Sequence, residues 1–337
     1  MWRRAWWSAI ASLIVLLVGP RGAAARSVGC TSDALDSACD APDLSGWEYS
    51  APSVAPGRFG SLAGQLAPIV AQHSGEWGIA IADVSSNESL LYQADDQFIA
   101  ASLYKLGVLA EAYAQLESGR LDWNERVVLT SSDVDEQYGG SMYAAGTALL
   151  LPDALDAMVT RSDNGVALAL VRRLGLNAVN GEFQSLGMAQ TRLVDDAWTS
   201  PRDQLAFFRQ LARGEVVSAS ASRSMLDVLA RQEINDRIPA GLPSDAPWKV
   251  AHKTGNWKGS FADSGVVDTP AGAFVLSILS DDVVSYTDAI DLFQQVARET
   301  YDAFEAGPPS ADAGVPPAAR TLCLQAWPGV CPPPDDG

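Results

Sequence analysis

The stretch Phe98–Leu116, FIAASLYKLGVLAEAYAQL, decides how the rest of the chain is read. Apolar residues recur through it at helical spacing and Gly119 closes it, so the pattern predicts a helix that begins at Ser102. Ser102 and Lys105 are three residues apart, which puts both side chains on one helix face. A serine hydroxyl is a weak nucleophile alone, and a lysine that gives up its proton can activate it. Backbone N–H groups in the first turn of a helix lack intrahelical partners and suit a developing oxyanion. A single S-x-x-K is nonetheless a cheap motif, and its meaning depends on what stands elsewhere in the chain.

Lysine usage narrows the choice. The 337 residues contain four lysines, Lys105, Lys249, Lys253 and Lys258, and every other cationic side chain is an arginine. All four fall in two short segments, although arginine cannot take the part of a base at all. The second segment contains Lys253-Thr254-Gly255 in a strand pattern flanked by Trp248, Val250 and Trp257. Its bland reading is an edge strand with a protective lysine. Between the two segments, Ser162-Asp163-Asn164 interrupts a helical pattern, and its bland reading is a helix N-cap or tight turn.

The pattern around these motifs is mixed. GSLAGQLAPIVAQHSG is an amphipathic helix, and EWGIAIADV and SLLYQAD alternate like strands about a turn at Ser85-Ser86-Asn87. After RVVLT, a loop containing Tyr138-Gly139-Gly140 leads to two helices broken at Arg161–Asn164. Helices are predicted over 177–187, 201–213 and 222–232. Three strands follow, WKVAHKTGNW, FADSGVVDTP and GAFVLSILSD, and then a closing helix from Tyr286 to Phe304. A helix, strands, many helices, strands and a helix imply an α+β fold, with a sheet completed late and a helical lobe inserted in it.

Taken in order, Ser102-Leu103-Tyr104-Lys105, Ser162-Asp163-Asn164 and Lys253-Thr254-Gly255 resemble the motif set of the penicillin-recognising serine acyl-hydrolases, and within them the class A β-lactamases. ADVSSNESLLYQADDQFIAASLYKLGVLA, RIPAGLPSDAPWKVAHKTGNW and TRLVDD are also similar to that class, and the resemblance covers residues 58–306. It implies a β-lactamase/DD-peptidase-like fold: an antiparallel sheet flanked by the terminal helices, an all-helical lobe, and a cleft between them. It implies Ser102 as the acylated nucleophile and Lys105 as its activating partner. Ser162 would pass a proton to the leaving nitrogen, and Asn164 would bond the substrate's side-chain amide. Lys253 and Thr254, with Gly255 beside them, would hold its carboxylate, and the backbone N–H groups of Ser102 and Asn256 would form the oxyanion hole. Lys249 and Lys258 receive no role and read as solvated strand charges.

One part of the pattern departs from that family. Its members carry a glutamate in an omega loop, within E-x-x-L-N, that activates the water releasing the acyl group. Here TRLVDDAWTSP passes from Thr191-Arg192-Leu193 almost directly to Thr199-Ser200-Pro201, with no glutamate. The omega loop reads as deleted or much shortened. Asp195 and Asp196 are the only carboxylates in the remnant; they are candidate water-activating groups whose more ordinary reading is as turn residues or partners of Arg192 or Arg202. Glu136 and Tyr138 are further candidates. Acylation is expected to survive, fast deacylation is not, and the cleft is expected to be more open.

Three readings follow. The first is a secreted serine β-lactamase-like hydrolase working through an acyl-serine. The second is a penicillin-binding or D-alanyl-D-alanine peptidase-like enzyme, and the third a non-catalytic cell-surface protein that retains the fold. The expected partner is a small-molecule β-lactam or peptidoglycan-like acyl donor. A formal charge of -18 and a pI near 4.4 argue against nucleic acid or an anionic membrane surface. With only His73 and His252, neither a zinc site nor a Ser-His-Asp triad is expected. No cofactor or metal is implied, and no oligomeric state is signalled.

The chain ends read as processing and attachment segments. Met1-Trp2-Arg3-Arg4, the apolar run Ala5–Val18 and Ala23-Ala24-Ala25 form a secretory signal over 1–25, too short in its apolar part to span a bilayer, with the export route left open. Residues 26–57 are a cysteine-bearing leader, 58–306 the catalytic domain, and 307–337 a Pro-rich, cysteine-bearing tail. After export, Cys30, Cys39, Cys323 and Cys331 would form two disulfides in one of three pairings.

Overall fold

Burial pattern and strand register organise the molecule around one sheet. The computed structural model describes residues 42–52, 57–136, 139–194 and 197–307. The signal segment, all four cysteines, Tyr138, Asp195 and Asp196 lie outside the described residues. The six-stranded antiparallel sheet runs in the order β1 (Trp47–Ser50), β3 (Ser89–Tyr92), β2 (Glu76–Asp83), β11 (Gly272–Asp281), β10 (Ser260–Thr269), β9 (Lys249–Trp257). β9, the strand that carries Lys253-Thr254-Gly255, is therefore an edge.

Strand alternation sorts the core into two sides. Ile79 and Ile81 of β2, with Phe274, Leu276 and Ile278 of β11, face α1 (Leu62–Gln72) and α9 (Tyr286–Ala306), where Leu62, Leu66, Phe293, Val296 and Phe304 complete a buried cluster. Ala80, Ala82, Val275 and Leu279 point the other way and join the core of the helical lobe. That lobe comprises α2 (Lys105–Glu117), α3 (Leu151–Thr160), α4 (Asn164–Leu174), α5 (Leu176–Ser185), α6 (Pro201–Arg213) and α7 (Ala219–Leu229). α8 (Ile238–Gly241) is a single turn against α9. Capping sets several starts: Ser200 accepts from the Asp203 N–H and Ser218 from the Ala221 N–H. The observed architecture is the expected antiparallel sheet with flanking helices and a helical lobe.

Six small strands were not predicted from the pattern. β1 lies in the segment read as an irregular leader, yet Trp47–Ser50 pairs in register with Ser89–Tyr92 and Trp47 packs on Tyr92 at 4.8 Å between ring centroids. β7 (Arg192–Leu193) and β8 (Ala197–Thr199) pair as a ribbon, and β8 also pairs with β4 (Phe98–Ile99). β5 (Arg126–Val128), within RVVLT, pairs with β6 (Ala148–Leu150). Among the described residues no helix is long and apolar enough to cross a membrane, and no group of three or more His, Cys, Asp or Glu is placed to hold a metal.

Candidate active site

Three segments far apart in sequence meet at the edge of β9. Ser102 lies in a 3-10 turn, Ala101–Tyr104, and the α-helix starts only at Lys105, one turn later than the apolar period suggests. The physical reason is the close approach of two backbones. A methyl placed on Gly255 would stand 3.0 Å from Ala100 O, 3.1 Å from Ala101 Cβ and 3.2 Å from Ser102 N, so the turn is pressed flat against the strand. Ala101 is held at φ 43°, a left-handed conformation that costs a non-glycine residue strain.

Lys105 is fully buried, and its Nζ is the hub of the site. It lies 3.0 Å from Ser102 Oγ, 3.1 Å from Ser162 Oγ, and 2.6 Å from both Ser162 O and Asn164 Oδ1. The last two atoms can only accept. They occupy two N–H groups of the amine and leave the lone pair of the neutral form directed at a hydroxyl. Burial is the largest influence on Lys105 and holds its pKa well below the usual lysine value. The nearby Lys253 ammonium pushes the same way, and Asp163 opposes both.

Lys253 is equally buried and approaches Ser162 from the other side, with Nζ 3.0 Å from Ser162 Oγ and 2.9 Å from Thr254 O. Burial lowers its pKa to about 7, with Asp263 pulling it up and Arg237 pushing it down. The Ser162 hydroxyl thus stands between two lysines. Ser162 itself is held at φ 59°, and Asp163, the N-cap of α4, secures that geometry. The Asp163 carboxylate accepts from the Val166 N–H at 2.8 Å, the Met142 N–H at 2.7 Å and Ser141 Oγ at 2.8 Å. The bland reading of the motif as a cap is correct and compatible with the other, because the cap is what aims Ser162 and Asn164 at Lys105.

The structure therefore brings together Ser102, Lys105, Ser162, Asn164, Lys253 and Gly255, with Thr254 and Asn256 adjoining on β9. Asp195 and Asp196 fall outside the described residues. The described strands β7 and β8 are held on their own: the Ala100 N–H donates to Ala197 O at 2.8 Å, and Asn180 bonds both Leu193 N–H and Leu193 O at 2.8 Å. Among the described residues no Asp or Glu side chain hydrogen-bonds or ion-pairs with Ser102, Lys105 or Ser162.

Residues 61–304 match the model of the beta-lactamase enzyme family. The chain belongs to that family. A β-lactamase of Streptomyces albus G is 28% identical over 228 residues, covering 60% of this chain and 71% of that protein. A β-lactamase structure from Sphaerobacter thermophilus DSM 20745 superposes with a TM-score of 0.68 at 25% identity, covering 74% of this chain and 99% of that one. PBP-A superposes with a TM-score of 0.65 at 26% identity, covering 72% and 95%, and a PBP-A variant with the same figures is an acyl-enzyme complex with penicillin G.

Within this family member, two buried groups support the site that sequence reasoning passed over. Arg237 is fully buried, donates to Gly255 O at 3.2 Å and Ala262 O at 2.6 Å, and also bonds Asn256 Oδ1. It ties β9 to β10 at the candidate oxyanion position. Behind it, Asp263 accepts from the Ile238 N–H at 3.1 Å and lies 2.7 Å from His252 Nδ1, whose Nε2 is 3.0 Å from Asn235 Oδ1. Only a net cation count near HKTG could have flagged Arg237, since 16 residues separate it from Lys253 in the sequence. His252, set aside as a triad member, is a structural partner of Asp263.

Proposed function

We propose that the protein is a serine acyl hydrolase that opens β-lactam amides through an acyl-Ser102 intermediate and releases the acyl group slowly. The observation that carries this reading is the continuous path Ser102 Oγ, Lys105 Nζ, Ser162 Oγ, Lys253 Nζ, with every step between 3.0 and 3.1 Å. Neutral Lys105 takes the Ser102 proton as Ser102 Oγ bonds the lactam carbonyl carbon. The backbone N–H groups of Ser102 and Asn256 meet the charge that appears on oxygen, a stabilisation felt mainly in the transition state. The C–N bond then breaks, and the leaving nitrogen takes the Ser162 hydroxyl proton, which Lys105 replaces. Lys253 and Thr254 hold the substrate carboxylate, and the free amide N–H groups of Asn164 bond its side-chain carbonyl.

Release needs a base for water. The absence of a hydrogen-bonded carboxylate at Lys105 among the described residues supports slow release. A second reading, a penicillin-binding or D-alanyl-D-alanine peptidase-like activity, is favoured by the β7–β8 ribbon in place of a long omega segment and by the likeness to PBP-A. The N-terminal pattern supports export before either activity.

Time-resolved intact mass of the protein with benzylpenicillin tests the proposal. A penicilloyl adduct that persists for minutes and is missing in Ser102→Ala is expected. Rapid return to free protein with hydrolysed penicillin would refute slow release, cleavage of a D-Ala-D-Ala ester would favour the second reading, and no adduct at all would refute the acyl-serine.

A further inference from the structure

Arg161 immediately precedes Ser162, and the chemistry above gives it no task. Its Nη2 donates to the Tyr143 hydroxyl at 2.9 Å, and its guanidinium lies 6.0 Å from that ring. Its Nε is buried with no hydrogen-bond partner, and Nη1 makes no hydrogen bond with a described residue. No Asp or Glu among the described residues ion-pairs with it. Three other arginines reach a carboxylate. Arg172 reaches Asp133 at 2.7 Å, Arg231 reaches Asp156 at 2.7 Å and Arg202 reaches Asp95 at 2.6 Å. Arg161 is a half-buried guanidinium whose one hydrogen-bond partner among the described residues is a neutral phenol; Arg209 and Arg213 also ion-pair with no described Asp or Glu, but their hydrogen bonds go to backbone carbonyls.

Arg161 lines a cavity of about 510 Å³ together with Met142, Ser162 and Asn164. Two of these, Ser162 and Asn164, hydrogen-bond Lys105, so the cavity borders the site along the Ser162–Asn164 segment. Asp163 also lines it, but its carboxylate is saturated by Ser141, Met142 and Val166. Glu136 lines it too, exposed and beyond ion-pairing distance of Arg161. Asn164 offers its amide to the acyl side chain, so a substituent on that side chain enters next to Arg161. Nη1 is the guanidinium nitrogen that makes no hydrogen bond with a described residue, and a guanidinium forms strong charge-assisted hydrogen bonds to carboxylate oxygens.

We propose that Arg161 forms a subsite for a carboxylate on the side chain of the acyl donor. The preferred donors are then dianions, held at Lys253–Thr254 by one carboxylate and at Arg161 by the other. This rests on the acyl-serine reading above.

The test compares benzylpenicillin with its α-carboxy derivative, which differ by one carboxylate, using the second-order rate of adduct formation on the full chain. The α-carboxy/benzyl rate ratio is expected to fall about tenfold in Arg161→Met, the order of one charge-assisted hydrogen bond, and to recover in part in Arg161→Lys. In the unaltered protein the ratio is expected to fall as salt rises from about 0.05 to 0.5 M, because the second carboxylate meets a partly exposed cation. This arm stands even where a variant fails to fold. A ratio unmoved by salt, or unmoved by Arg161→Met in folded protein, overturns the subsite and leaves the acyl-serine standing. Absence of any adduct with benzylpenicillin overturns the acyl-serine itself, and the subsite with it.

Discussion

Adding one methyl group at Gly255 tests how Ser102 is held. In Gly255→Ala the new carbon meets Ala100 O at 3.0 Å, Ala101 Cβ at 3.1 Å and Ser102 N at 3.2 Å. Two of these are backbone atoms of the turn that carries Ser102, and no flexible side chain can yield in their place. The turn must retreat from β9 by a few tenths of an ångström, and it is already strained at Ala101. Overpacking of this kind costs about 1–3 kcal/mol, which in a domain of this size lowers Tm by about 2–10 °C. A reacting atom displaced by 1 Å loses about 100-fold in rate, so a shift of a few tenths is expected to slow acylation by about three- to tenfold. Calorimetry gives the first quantity and stopped-flow acylation by a chromogenic cephalosporin the second. Gly181→Ala is the control: it lies within α5, a methyl there meets nothing within 4 Å, and stability should rise by about 0.5–1 kcal/mol. Wild-type acylation and Tm in Gly255→Ala would refute the argument that strand and turn are in rigid contact.

Lys105→Met removes the one amine that contacts Ser102 Oγ among the described residues and should reduce acylation by about 10²–10⁴-fold, read as adduct formation over hours instead of seconds. Lys253 bears on stability. Its folded pKa, near 7, lies below the unfolded value, so from about pH 7 to 10 the unfolded chain binds more protons and this group adds stability as pH rises. Denaturant titrations should therefore show a positive slope of stability against pH in that window that is smaller in Lys253→Met; equal slopes would contradict the assigned burial. Asp263→Ala leaves the Ile238 N–H and His252 without their buried partner, and urea unfolding should report a loss of about 3 kcal/mol or more. It should also weaken acylation, because the start of α8 that places Arg237 is released.

The two core faces of the sheet and the closing helix follow from periodicity alone, and the strands at 249–257 and 272–281 stand where alternation puts them. β1 escaped because four residues, three of them exposed, carry no alternating signal; pairing with the edge of β3 makes it a strand. β4, β7 and β8 are two or three residues long, below any pattern's reach. The late start of α2 escaped for a different reason. The apolar period extends through Leu103, but contact with Gly255, a residue more than 150 positions away, tightens the first turn to 3-10.

The amino-acid sequence by itself determined the inventory of reactive groups. It placed a serine and lysine a turn apart, a polar break between two helices, a Lys-Thr-Gly in a strand pattern, and no glutamate between Thr191 and Pro201. Residue type and spacing are properties of a chain, so these were legible. Only the tertiary structure decided that Lys105 and Ser162, 57 positions apart, share a hydrogen bond, that Arg237 braces β9 from behind, and that Arg161 faces a cavity without an acidic partner. The physical reason is burial. A lysine loses its proton readily only where water is excluded on all sides, and that enclosure is built by segments that meet through packing and have no local signature.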